Sequence, residues 1–195
     1  MKSQFYRLYG KRLLDVFLVG IVTLFFSWLI VLIFIIYWIT GETPILFRAS
    51  RIGAGGVPFT MLKFRTLSTN DGLLIQDRKF LLGNLLRLTN LDELPQIWNI
   101  VKGEMSFIGP RPLPVEYATL LSEEQKKRHE VLPGITGWAQ VNGKNDISWS
   151  EKFKLDLYYV NRVSFLLDLK ILAKTLILVL SFKKDTSLSE KEFTG

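Results

Sequence analysis

Apolar residues run almost without interruption from Leu13 to Thr40, with Asp15 as the one charge in the stretch. Roughly 20 such residues suffice to cross the hydrocarbon core as a helix, so the pattern predicts a membrane-embedded helix. The run exceeds the roughly 7–15 residues of a signal-peptide core and lacks a small-x-small cleavage site, which argues against its removal. Both flanks are basic: Lys2, Arg7, Lys11 and Arg12 precede it, and Arg48, Arg51, Lys63 and Arg65 come after it. A straight spanning helix would leave one basic flank on the wrong side, whereas a re-entrant hairpin keeps both on the cytoplasmic side. Such a hairpin needs a break inside lipid, and the Ser27 hydroxyl can bond a backbone carbonyl there and bend the helix. A straight anchor is the alternative.

Beyond Gly41 to Pro44, the segments ILFRASRI and PFTMLKFRT read as short strands joined by a turn at Gly53-Ala54-Gly55-Gly56. A dinucleotide fingerprint would open a helix, but the residues after this glycine cluster are strand-like, so none is expected. Residues 77–88 place Phe80, Leu81, Leu85 and Leu86 on one side of an amphipathic helix. A second helix is predicted from near Asn90, with Asp92 and Glu93 in its first turn, to a stop at Gly103. After a Pro-rich loop from Gly109 to Pro114, helical periodicity returns at 116–130, 149–161 and 165–182. Asp168, Lys170 and Lys174 in the last of these point to a helix lying in the membrane interface rather than a second span. The final dozen residues read as a loose tail.

Charge and composition narrow the chemistry. Lys and Arg number 25 against 18 Asp and Glu, a formal charge of +7 that favours anionic partners. With no cysteine and a single histidine, thiol nucleophiles, cysteine-based zinc sites and multi-histidine metal sites are excluded. Acid, base or nucleophilic roles therefore fall to carboxylates, Lys or Tyr. A nucleic-acid partner has charge alone in its favour and is not expected.

Asp92 and Glu93 at a helix start are explained by the macrodipole if taken alone. Their neighbours add a second reading, because Arg87, Arg111 in its stiff loop and Lys63 to Arg65 supply cations suited to phosphate oxygens. With a membrane helix alongside, these residues suggest phosphoryl transfer by a carboxylate.

The run from Leu91 to Gln96, the run from Lys102 to Pro112, Lys63-Phe64-Arg65-Thr66, Arg128-His129 and the run from Pro133 to Gly143 stand in one order. Together with Lys11-Arg12 and Asp15, they resemble the bacterial sugar transferase family, the monotopic phosphoglycosyl transferases, from about residue 9 to about 182. The short length is similar to the minimal catalytic form, as in the initiating transferase of bacterial N-linked glycosylation. The resemblance implies that Asp92 attacks the sugar-linked phosphorus of a UDP-sugar and that undecaprenyl phosphate then takes the phospho-sugar. Glu93 is implied as its partner, with Asp92 and Glu93 placing Mg²⁺. Arg87, Arg111, Lys63, Arg65 and Arg128 are implied as phosphate-binding residues, whereas His129 is read as a hydrogen-bonded scaffold residue rather than a catalytic base. Family members commonly have Pro after the serine at the helix break, where Trp28 stands here, and a polar residue where Ala49 stands.

The expected architecture is α+β and helix-rich, with a re-entrant helix, interfacial amphipathic helices and a small β-hairpin. Residues 1–40 form the membrane segment, 41–182 a cytoplasmic catalytic domain on the bacterial inner membrane, and 183–195 the tail, as one functional unit. Neither the identity of the sugar nor the oligomeric state is encoded in a motif.

Overall fold

The computed structural model describes residues 5–69, 72, 74, 77–143, 147–181 and 193–195. The basic flank at Lys2 and tail residues 183–192 lie outside them.

Helix α1, Lys11–Thr40, comes directly after a π-helical turn at Tyr6–Gly10. Its 30 residues make it about 45 Å long, and it ends where Gly41 takes a left-handed φ of 69°. The helix is continuous through Ser27, so the expected break there is not formed. The physical reason is Trp28: unlike proline it keeps its N–H, and a serine alone does not interrupt the ladder.

Both ends of α1 are fastened to one body. Near its start, the Lys11 ammonium donates to Asp168 at 2.9 Å, and Asp15 accepts from the Ser106 hydroxyl at 2.9 Å and the Phe107 N–H at 3.0 Å. The Arg12 guanidinium caps the carbonyls of Ile100 and Val101 at 2.6 and 2.9 Å. Near its end, Ile33 and Tyr37 bury against Phe64 and Leu86, and the Tyr37 hydroxyl donates to the Arg65 carbonyl. Between these attachments the side chains from Leu24 to Trp28 are exposed.

Strands β1 (Leu46–Ile52) and β2 (Pro58–Phe64) pair antiparallel from Leu46↔Phe64 to Ile52↔Pro58, as the sequence predicts. Gly55 and Gly56 supply the positive φ values of their turn, 64° and 78°. Ala49, one of the departures from the family pattern, packs on the Met61, Ile100 and Met105 cluster, where its methyl group meets an apolar surface.

Helix α2 is Leu81–Leu88, shorter than predicted, and its apolar residues divide between two faces. Leu86 is buried at 1% exposure, whereas Leu81, Leu85 and Leu88 form an outward stripe. Helix α3, Gln96–Lys102, stops at Gly103 as predicted. Strand β3 (Ser106–Ile108) pairs in parallel with β4 (Gly134–Thr136).

The 116–130 segment is not one helix. It consists of 3-10 turns at Val115–Thr119 and Lys127–Glu130 around a short α4, Glu123–Lys126, which Ser122 and Gln125 cap reciprocally. Helices α5 (Trp138–Asn142), α6 (Trp149–Asn161) and α7 (Phe165–Leu180) complete the fold. On α7, Asp168 and Ile171 face inward while Leu166, Leu169, Leu176 and Leu180 face out. At the chain's end, Phe193 is not loose: it is buried against Phe153, Leu113 and Leu121.

Candidate active site

Asp92 and Glu93 lie in a 3-10 turn, Leu91–Glu93, rather than in the first turn of an α-helix. Asn90, at a left-handed φ of 57°, turns the chain out of α2 and into this turn, and Pro95 then leads into α3. Asparagine tolerates that conformation better than most residues. The Asn99 side chain bridges α3 to β2, accepting from the Leu62 N–H at 3.1 Å and donating to the Thr60 carbonyl at 2.7 Å. This fixes Lys63, the next residue on β2, beside the acidic pair.

The Lys63 ammonium donates to Glu93 Oε1 at 2.6 Å and stands 4.0 Å from Asp92 Oδ2. Arg111 approaches the same Glu93 oxygen at 3.7 Å. Burial pushes the Glu93 carboxyl up, but Lys63 and Arg111, with hydrogen bonds from Lys63 and Gln96, outweigh it and hold Glu93 below the usual carboxylate range. Glu93 is therefore engaged by cations. Arg87, at the end of α2, donates to the Thr66 hydroxyl at 2.6 Å.

The loop that carries Arg111 is held by a close approach of two backbones. A Cβ at Gly134 would lie 2.1 Å from the Gly109 nitrogen, so only glycine allows the contact. A cavity of about 1330 Å³ opens on Asp92, Glu93, Lys63, Arg87 and Arg111, and reaches apolar walls at Phe34, Leu178 and Val179. The sequence-predicted carboxylates and these three cations thus share one space.

The family model for bacterial sugar transferases matches residues 6–182. The chain belongs to the bacterial sugar transferase family. Among its relatives, the uncharacterized sugar transferase EpsL of Bacillus subtilis (strain 168) is 47% identical over 161 residues, covering 78% of this chain and 80% of that protein. A UDP-glucose:undecaprenyl-phosphate glucose-1-phosphate transferase of Xanthomonas campestris pv. campestris is 40% identical over 156 residues, 72% of this chain. The Escherichia coli (strain K12) protein of the same name is 37% identical over 180 residues, 85% of this chain. The matches span only 32% and 39% of those two longer relatives.

Two further cations expected at the phosphates of this sugar transferase, Arg65 and Arg128, also make structural bonds. The Arg65 guanidinium donates to the carbonyls of Pro44 and Leu67 at 2.7 and 3.2 Å and to Glu42 at 3.0 Å. Arg128, 3% exposed, gives Nε and a terminal nitrogen to Asp156 at 3.1 and 2.7 Å and also bonds the Arg111 carbonyl at 2.8 Å. Both border the cavity, with three hydrogen bonds from each going to protein acceptors. Arg128 acts on the site by holding the Arg111 loop.

Among the described residues no cluster of three or more His, Cys, Asp or Glu side chains forms a metal cage. The Asp92–Glu93 pair still fits Mg²⁺, which uses one or two carboxylates and fills its shell with water and substrate phosphates.

Sequence reasoning gives no role to Asp156 or to Gln140, which falls within the Pro133 to Gly143 run; both also line the cavity. Asp156 carries a visible signal, since it falls on the face of α6 that buries Phe153 and Val160.

His129 is scaffold-like in its surroundings. Burial, with the Arg128 charge adding to it, pushes its imidazole down to about 4. A histidine held below its unfolded value of about 6.5 resists protonation in the fold, so stability is lost as pH falls from about 6.5 toward about 4. Urea midpoints should therefore drop between pH 7 and pH 5 by more in the parent protein than in His129→Gln; equal drops would contradict this.

Proposed function

We propose that this chain transfers a phospho-sugar from a UDP-sugar to a polyprenyl phosphate through a covalent intermediate on Asp92. The observation that carries the reading is that Asp92 and Glu93 share one cavity with Lys63, Arg87 and Arg111, the Lys63 ammonium lying 2.6 Å from Glu93 and 4.0 Å from Asp92. The names of the relatives support the donor and acceptor classes.

In the first step an Asp92 oxygen bonds to the sugar-linked phosphorus, the bond from that phosphorus to the bridging oxygen breaks, and UMP leaves with the bridging oxygen. In the second, an oxygen of the polyprenyl phosphate bonds to the same phosphorus and the acyl phosphate bond breaks, freeing Asp92. Splitting one displacement into two easier ones is the advantage of a covalent nucleophile. Lys63, Arg87 and Arg111 hold phosphate oxygens, and Glu93 keeps Lys63 and Arg111 aimed at the site. Mg²⁺, held by Asp92 and Glu93, would neutralise diphosphate charge.

The same reading places the protein on the inner leaflet of the bacterial inner membrane with its catalytic body in the cytoplasm. Support comes from α1, apolar and mostly exposed, whose two ends return to one body. The outward leucines of α2 and α7 extend that apolar surface as interfacial helices would. With α1 unbroken at Ser27, the return to one side rests on these attachments rather than on a kink.

A panel of UDP-sugars, incubated with enzyme, undecaprenyl phosphate and detergent, tests the reaction. UMP should appear with a matching donor and cease when Mg²⁺ is chelated. Lipid product formed with release of UDP instead of UMP would overturn the proposal.

A further inference from the structure

The cations around the cavity are mostly engaged. Lys63 and Arg111 meet Glu93, Arg87 meets the Thr66 hydroxyl, and the Lys152 ammonium lies over the Trp149 ring at 4.4 Å. Arg48 of β1 also lines the cavity and is exposed, yet among the described residues it makes no hydrogen bond, ion pair or ring contact. An exposed arginine is ordinarily a solvated surface charge. What distinguishes Arg48 is the apolar frame around it.

Side chains alternate along a strand, and Arg48 pairs with Leu62, so it shares a face of the hairpin with Leu46 and Phe64. Phe64 stands diagonal to it, and diagonal neighbours lie roughly 7–8 Å apart, within reach of a long side chain. Phe64 in turn stacks on Tyr37 at 6.1 Å and meets Phe34 edge to face at 5.5 Å, both rings belonging to α1. Leu91 and Leu94, on either side of the dyad, pack on the same cluster. Arg48 thus stands where the hairpin meets the apolar helix, beside a cluster that also carries the dyad turn. Phe34 and its own neighbour Phe47, 39% and 49% exposed, border the cavity as well.

The two kinds of surface narrow the ligand. A guanidinium suits an anion, above all phosphate oxygens, which its planar fork matches. The exposed rings suit an apolar partner. A UDP-sugar has no apolar chain to cover Phe34 and Phe47, whereas a phosphate carried on a polyprenyl chain satisfies both surfaces. We propose that Arg48 holds the phosphate of the polyprenyl acceptor while the adjoining chain lies against Phe34 and Phe47, so that Arg48 serves the second step of the transfer and not the first. This rests on the transfer proposed above.

The test measures kcat/KM separately for undecaprenyl phosphate and for the UDP-sugar accepted in the panel above, in neutral detergent, with UMP release as the readout. With a covalent intermediate, each value reports its own half of the reaction. In Arg48→Gln the acceptor value should fall by about tenfold or more, the scale of one charge-assisted hydrogen bond, while the donor value stays within about twofold. Arg48→Lys, which keeps the charge and loses the fork, should lie between parent and Arg48→Gln, and Arg48→Glu, which repels phosphate, should lose most. A purely structural role would lower both values together and would not follow charge. Equal falls therefore overturn the proposal, as does an acceptor value within about twofold of the parent's in both Arg48→Gln and Arg48→Glu. A fall seen in vesicles containing phosphatidylglycerol but absent in detergent would assign Arg48 to bulk anionic lipid and overturn it too. If Arg48→Gln fails to fold, Arg48→Lys decides by the same split. Turnover by the parent protein separates these outcomes from failure of the transfer itself, and release of no UMP from any UDP-sugar would overturn both readings.

Discussion

Asp92→Asn should reduce UMP release by on the order of 10⁴-fold or more, the scale seen when a nucleophile is removed from machinery that acts as a unit. Asparagine keeps the size and shape of the side chain, so the Leu91–Glu93 turn and the Lys63–Glu93 contact should survive. In the proposed mechanism, the loss is confined to the anionic oxygen that would form the bond to phosphorus. Two measurements check this: the rate of UMP release, and intact-protein mass after exposure to donor without acceptor. The parent protein should gain the mass of one phospho-sugar and the variant none. Glu93→Gln provides the contrast. It weakens the hold on Lys63 and Arg111 and slows both steps, yet the adduct on Asp92 should still form. Near-normal turnover by Asp92→Asn would remove the nucleophile from this scheme.

Arg128→Met should cost about 3–5 kcal/mol of stability, because it strands a buried charge. The side chains of Arg128 and Asp156 are 3% and 4% exposed, so water cannot take over the lost interaction. At about 2–4 °C per kcal/mol for a chain of this size, the unfolding midpoint in detergent should fall by roughly 10 °C. The double variant Arg128→Met, Asp156→Leu should recover much of that, since it removes the orphaned carboxylate as well. Activity should not recover with it, because the Arg111 carbonyl still lacks its tether. A midpoint within about 1 °C of the parent protein would show that the pair is hydrated and energetically slight.

Local pattern reveals the apolar run of α1, the strands of the β1–β2 hairpin and the 149–161 helix. Each is written in short-range periodicity, and the cations that join the dyad lie near it in motif order. Long-range partners are not legible. Nothing close to Arg65 in sequence announces Glu42 and the Pro44 carbonyl as its acceptors, and nothing near Arg128 announces Asp156. The orientation of α2 escapes the sequence for a different reason. An amphipathic pattern is ordinarily assigned with water outside, but here Leu81 and Leu85 point outward, so two apolar faces compete and periodicity cannot choose between them. Phe193 is hidden because an isolated aromatic in a polar tail leaves no periodic trace, and its contacts are with Trp149, Phe153 and Tyr117.

The double fastening of α1 has a mechanical meaning. A helix tethered at one end would act as a flexible leash, letting the body it carries roll and drift above the lipid. Bolted at Lys11 and Asp15 on one side and at Ile33 and Tyr37 on the other, it behaves as a keel, and body and helix can only tilt together. With the membrane placement proposed above, the mouth of the cavity would then keep a constant height and heading over the bilayer. An acceptor confined to two dimensions would meet it at a fixed depth, and only the water-borne donor would have to search in three.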